Sequence, residues 1–153
     1  MDSGNKLIFS EEIKKLDNLS EGSDKIIYET SSFFPFQFFP DKLIIDVNKI
    51  TLVRNAMLFN RTTPILIEDI LTVRITNDFF FSSIYFEVRA FEQNPPPITF
   101  IKAKEAILAE TYVLALIKSK NDNIDLSKIP LKILKSKLKE IGVVTDHGKS
   151  AII

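Results

Sequence analysis

The chain has 153 residues, enough for one domain with a proper core, and 45% hydrophobic against 26% charged side chains is an ordinary globular balance. Its 20 basic residues cancel 20 acidic ones, so net charge gives no footprint for nucleic acid, and the lack of Cys excludes disulfides, thiolate metal sites and Cys nucleophiles. No apolar run approaches the roughly 20 residues of a membrane-spanning helix, and MDSGNKLIFS lacks the basic and apolar regions of a secretory signal.

Charge is unevenly spread. Residues 1–46 carry five Lys against nine acids, whereas residues 118–141 carry seven Lys against three. Residues 1–30 read as a polar N-terminal extension. A short helix is expected from Ser10, a candidate N-cap, to about Leu19, followed by a linker over 21–24. Next comes SSFFPFQFFPDK, with Phe33, Phe34, Phe36, Phe38 and Phe39 in one short stretch. Pro35 and Pro40 exclude a helix interior, so an extended segment is expected, with Phe34, Phe36 and Phe38 facing one way.

From Lys42 the pattern is that of a β-meander. KLIIDVNKITLVRNAMLF gives two strands around a turn at Asn48, where Asn tolerates a positive φ. A third strand is expected over Ile65–Ile67, a fourth over Thr72–Thr76, and a long fifth in FFFSSIYFEVRAF with a bulge at Ser82–Ser83. EQNPPP is a loop and ITFIKA a sixth strand. Such short connections leave no room for helical crossovers, so the sheet is antiparallel. The period then changes. Residues 103–119 read as a helix with Ala103, Ala106, Ile107, Val113, Leu114 and Ile117 on one face. Leu108, Tyr112, Ala115 and Leu116 lie opposite and need a cover. A second helix is expected over Ser127–Ile141, with Pro130 in its first turn and Gly142 ending it, before a tail at 143–153.

Six meandering strands closed by an amphipathic helix resemble a pleckstrin-homology (PH)-like domain of the bacterial or GRAM type. The residues that carry the resemblance are KLIIDVNKITLVRN, PILIEDILTVRI and ITFIKAKEAILAETYVLALI, above all Ile65, Ile67, Glu68, Asp69, Ile70 and Val73. It implies an α+β, mainly β fold: a partly open antiparallel barrel over residues 31–120, capped by a helix, with an accessory helix at 121–142. Seven strands are usual in that fold. Members that bind phosphoinositides use a basic loop between the first two strands; DVNK offers one Lys and one Asp, so headgroup binding is not implied.

The chemistry of an enzyme is missing. The single His, His147, falls in the expected tail, and the neighbours Glu68 and Asp69 would face opposite sides of a strand. NDNIDLS lacks the Gly and terminal Glu of a calcium loop, and no glycine-rich phosphate loop occurs. No cofactor is expected. NPPPI reads as a stiff loop rather than a polyproline ligand.

Two surfaces remain as binding candidates. Lys128, Lys132, Lys135 and Lys139 form a stripe on the second helix, beside the apolar Leu131, Leu134, Leu138 and Ile141. Such a helix either lies on anionic lipid or packs its apolar side on the first helix with the lysines solvated; packing is the expectation. The five phenylalanines either meet a lipid or protein partner or strap down the outer face of the 103–119 helix; the strap is the expectation. Phe79 and Phe81 are expected on one side of their strand and Phe80 on the other, one side facing the core and the other joining the same apolar patch or a dimer contact. The chain is thus expected to be a non-catalytic, cytoplasmic binding or scaffold module, peripheral to the inner face of a membrane. The alternative is a protein-interaction or homodimerisation module with no lipid role.

Overall fold

The computed structural model describes residues 10, 13, 25–89 and 92–149, with backbone alone for 144–149. The helix expected from Ser10 falls mostly outside these residues, although Ser10 and Ile13 are helical; the 21–24 linker and residues 150–153 also lie outside.

The fold is α+β and mainly sheet. One antiparallel sheet has the order β1 (Ile26–Ser31), β2 (Lys42–Asp46), β3 (Lys49–Asn55), β4 (Asn60–Leu66). A second has the order β5 (Ile70–Asn77), β6 (Ser82–Val88), β7 (Ile98–Ile101). Helices α1 (Ala103–Asn121) and α2 (Leu131–Lys149) follow. The sheets do not close into the expected barrel. At one corner the Ser32 hydroxyl donates to Thr99 O (2.8 Å) and Phe33 N to Phe100 O (2.8 Å); at another Ile67 N donates to Asn48 O (2.9 Å).

β1 lies within the stretch read as a loose extension. Its strand formers Ile26, Ile27, Tyr28 and Thr30 are hidden among charged neighbours, but Ile27 and Thr30 are buried and the strand pairs with β2 over its whole length. The strand that the six-strand expectation lacks is therefore at the start, and the long fifth strand expected from the sequence is the single strand β6. The β2–β3 turn sits where expected, but Asn48 has no positive φ; Asp46 Oδ1 accepts Asn48 N (2.9 Å) and closes the turn instead. Pro64 is tolerated because β4 is a sheet edge.

Alternation places Leu43, Ile45, Ile50, Leu52 and Ile65 of one sheet, and Val73, Ile84 and Phe86 of the other, in one core with α1. α1 packs on β1, β5 and β6 on one side and on α2 on the other. It is buried almost all round from Ala109 to Leu116, while Ala103 and Ile107, assigned to the inner face, are exposed.

The cover for the outer face of α1 is α2, not the phenylalanine strap. Leu134 and Leu138 are each only 1% exposed there. α2 starts at Leu131, after Pro130, and does not stop at Gly142. That residue is buried inside the helix, where a Cβ would stand 2.1 Å from Thr111 O. Gly142 is thus a point of close helix approach rather than a terminator, and residues 143–149, expected as tail, continue the helix.

Candidate functional site

Among the described residues, three hairpin loops carry the most exposed of the large apolar side chains. Loops 32–41 and 56–59 join β1 to β2 and β3 to β4, so an antiparallel meander puts them at one end of their sheet. Loop 78–81 joins β5 to β6 and is brought to the same end by Phe36 and Phe81, whose ring centroids are 4.8 Å apart.

The first loop is a compact turn, not an extended strap. Ser32 N donates to Asp41 O (2.9 Å), closing it, and Gln37 N reaches Phe33 O (3.3 Å). Buried Asp41 then locks it to its neighbours. Its carboxylate accepts from Arg54 Nη1 (3.0 Å) and Asn55 N (3.1 Å), while Asn55 Nδ2 donates to Pro40 O (2.6 Å). Arg54 also donates to Pro96 O and to Pro97 O (3.0 Å), so NPPPI is held against the protein by its own carbonyls.

All five phenylalanines of the loop are exposed: Phe33 38%, Phe34 59%, Phe36 60%, Phe38 76%, Phe39 44%. The strap expectation is overturned, because α2 already occupies the face the strap would cover. Phe79 (97%) and Phe80 (80%), expected on opposite sides of a strand with one side in the core, are both exposed at their hairpin tip, and Met57 (79%), Leu58 (88%) and Phe59 (70%) project from the third tip. At roughly 200 Å² per aromatic side chain, the first loop alone exposes roughly 500 Å², as much as the largest apolar patch of a typical monomer. The other two tips more than double it.

The rings form a contiguous cluster. Phe81 stacks with Phe33 (5.7 Å) and meets Phe100 edge-on (6.1 Å), and Phe36 stacks with Phe100 (6.3 Å). Between them lies an open cleft of about 300 Å³ lined by Phe36, Phe79, Phe80, Phe81 and Phe100, with Asp78, Ser83 and Thr99.

Phe100 reaches this cluster through an unfavourable backbone. β7 sets Thr99 and Phe100 opposite the single residue Ser83, since Ile101 pairs with Ser82 and Ile98 with Ile84. The irregularity expected at Ser82–Ser83 is therefore present, with the extra residue on the facing strand. Phe100 takes the left-handed conformation, φ 58°, that favours glycine and costs a side-chain residue roughly 1–2 kcal/mol. The bulge keeps both Ile98 and Ile101 buried and turns the Phe100 ring, 39% exposed, into the aromatic end.

Cations sit just behind the tips. Lys42 opens β2 opposite Val53, and Arg61 stands opposite Arg54 across β3 and β4. Lys102 follows Ile101, which is level with Ser82, and its ammonium lies 5.4 Å above the Phe33 ring. Glu29 pairs with Lys42 (3.3 Å), Glu105 with Lys102 (3.5 Å), and Asp78 lies at the base of its own tip, where its N–H donates to Phe81 O (2.8 Å).

The lysine stripe is placed differently. Lys128 precedes α2 and pairs with Asp125 (3.7 Å), so only Lys132, Lys135 and Lys139 of the four belong to the helix. The Asp125 carboxyl is held below the usual range, first by the Ser127 hydroxyl and then by the Ser127 N–H. Lys25, just before β1, donates to the carbonyls of Ser127 and Ile129 (3.3 Å), whereas Phe33 follows the other end of β1. The stripe thus begins about 20 Å, one strand length, from the aromatic end.

The remaining sequence candidates are scattered. Glu68 and Asp69 lie in a 3-10 turn, Ile67–Asp69, between β4 and β5. His147 lies in α2 rather than in a tail. NDNID connects the two helices, with Asn123 in the left-handed conformation, φ 54°. Among the described residues no three of His, Cys, Asp and Glu gather as metal ligands would, and no helix is long and apolar enough to cross a membrane.

No family model matches the chain, and no curated protein matches it.

The phenylalanine run is legible in the sequence, but its allies on the 56–59 tip and at Phe100 are not. Met57, Leu58 and Phe59 follow a strand so closely that they read as its continuation; the Asn55 and Asn60 that flank them were the available turn signal. Phe100 gave no signal, because its orientation depends on a bulge that only strand pairing defines.

Proposed function

We propose that this protein is a non-catalytic PH-like binding module that acts at the cytoplasmic face of a membrane through its aromatic end. Among the described residues, seven antiparallel strands followed by a capping helix support the PH-like part of this reading. The loop between the first two strands is now 32–41, which has no Lys or Arg, so binding rests on hydrophobic contact rather than on a basic headgroup site. The absence of Cys fits a reducing compartment.

The observation that carries the reading is the exposure of three loop tips at once. A sequence shaped only for folding does not leave Phe79 at 97% and Leu58 at 88% exposed while placing Phe100 at a positive φ. Sedimentation with phospholipid vesicles tests it: the protein should co-sediment, and failure to bind vesicles of any composition would refute the membrane role.

The second reading, a protein-interaction or homodimerisation module, is favoured by area. The aromatic end exceeds the roughly 800 Å² that each partner contributes to a standard interface. A dimer in sedimentation equilibrium that Phe80→Ser dissociates would establish it.

A further inference from the structure

We infer that the aromatic end holds a bilayer by sinking its three loop tips among the acyl chains, with a row of cations left at phosphate level, and that the α2 lysines take no part. This rests on the membrane reading above and specifies how the membrane is held.

Shape is the first argument. The most exposed apolar side chains, Phe79 and Phe80 on one hairpin tip and Leu58 and Met57 on another, project clear of the protein. A second copy would present the same projections against them, and the cleft between the tips is lined by Phe36, Phe79, Phe80 and Phe81 themselves. A fluid hydrocarbon layer needs no matching pits.

Charge order is the second argument. The strand register places Lys42 and Arg61 within two residues of a tip, and Lys102 level with the foot of the third. Apolar groups are outermost and cations lie one step behind them. This is the order that the interface imposes, with rings in the acyl region and long basic side chains reaching back to phosphate. The acidic groups at that level fit it. Asp41 is buried against Arg54, Glu29 and Glu105 are paired, and Asp78 sits at the base of its turn. With cations and acids nearly balanced, attachment should depend on apolar area more than on lipid charge.

The native chain has no Trp, so a single introduced indole reports depth without background. Phe80→Trp and, on α2, Ile133→Trp are bound to phosphatidylcholine vesicles, with and without phosphatidylserine, whose acyl chains carry bromine. The Phe80→Trp indole should be quenched in both lipids and the Ile133→Trp indole in neither. Leu58→Ser with Phe80→Ser should weaken vesicle binding at least about tenfold, while raising salt from ~0.1 to ~0.5 M changes it less than about twofold. Both substituted side chains are exposed, so the circular dichroism melt should be unchanged and loss of binding will not reflect unfolding. Binding that survives the double serine variant but is abolished by Lys132→Glu with Lys135→Glu, or by salt, overturns the insertion and leaves the membrane role standing. Failure of the native chain to bind vesicles, with dimers that the double variant dissociates, overturns both in favour of self-association.

Discussion

Gly142→Ala tests the contact that decides which surface is left free. The added methyl would lie 2.1 Å from Thr111 O, 2.6 Å from Thr111 Cγ2 and 2.8 Å from Thr111 C. Two of these atoms are backbone, so no rotamer change relieves the overlap, and α2 must lift by more than an ångström at its closest point. Leu134 and Leu138, both 1% exposed on the same face, would be lifted with it. Overpacking of this kind costs about 1–3 kcal/mol, and the rigid carbonyl argues for the upper half of that range. Replacing Gly by Ala inside a helix returns about 1 kcal/mol. The expected net loss is about 1–2 kcal/mol, or about 3–6 °C in Tm for a chain of this length. Urea unfolding followed by circular dichroism measures it, with exposed Ser136→Ala as a control that should gain a few tenths of a kcal/mol. If Gly142→Ala is as stable as the native chain, or more so, α2 does not lie against α1 at Thr111. The strap would then again be a candidate cover for that face.

Other expected outcomes concern the aromatic end and the core beneath it. Phe100→Gly should be more stable than Phe100→Ala by about 1 kcal/mol, the reverse of the usual order in a strand, because only glycine relieves the positive φ; chemical denaturation of the pair measures the difference. Asp41→Ala leaves Arg54 and Asn55 N without their acceptor, and should cost about 2–3 kcal/mol after allowance for the partly exposed Arg54. The same unfolding assay checks it, and a cost below 0.5 kcal/mol, the ~0.5 kcal/mol scatter of ordinary surface changes, contradicts the lock between loops. Burial pushes the Tyr112 phenol up, and burial together with the nearby Glu105 carboxylate and Tyr112 does the same to Tyr28, against an opposing hydrogen bond from Thr30. The folded chain therefore holds these protons more tightly than the unfolded one. The stability they contribute is full below pH ~10 and is lost as pH rises through and above it. Tyr112→Phe should flatten that alkaline fall in a pH series of melts.

Residue pattern alone determined the antiparallel meander, the position of most strands, both helices and the apolar stripe of α2 that carries Leu134 and Leu138. These follow from periods of 2 and 3.6, which are written along the chain and need no partner to be read. Tertiary structure decided the rest. Whether Ile26–Ser31 is a strand depends on β2 lying beside it. Gly142 reads as a helix end until Thr111 is placed against it. The five phenylalanines count as hydrophobic wherever they are, and composition does not say whether a ring is covered. That depends on what else reaches the same surface: α2 took the face of α1 that the strap would have filled, and Asp41, Arg54 and Asn55 tied the loop to the open end of the sheet. Burial is a property of neighbours brought from far along the chain, so the exposed aromatic end emerged only when the hairpin tips were seen side by side.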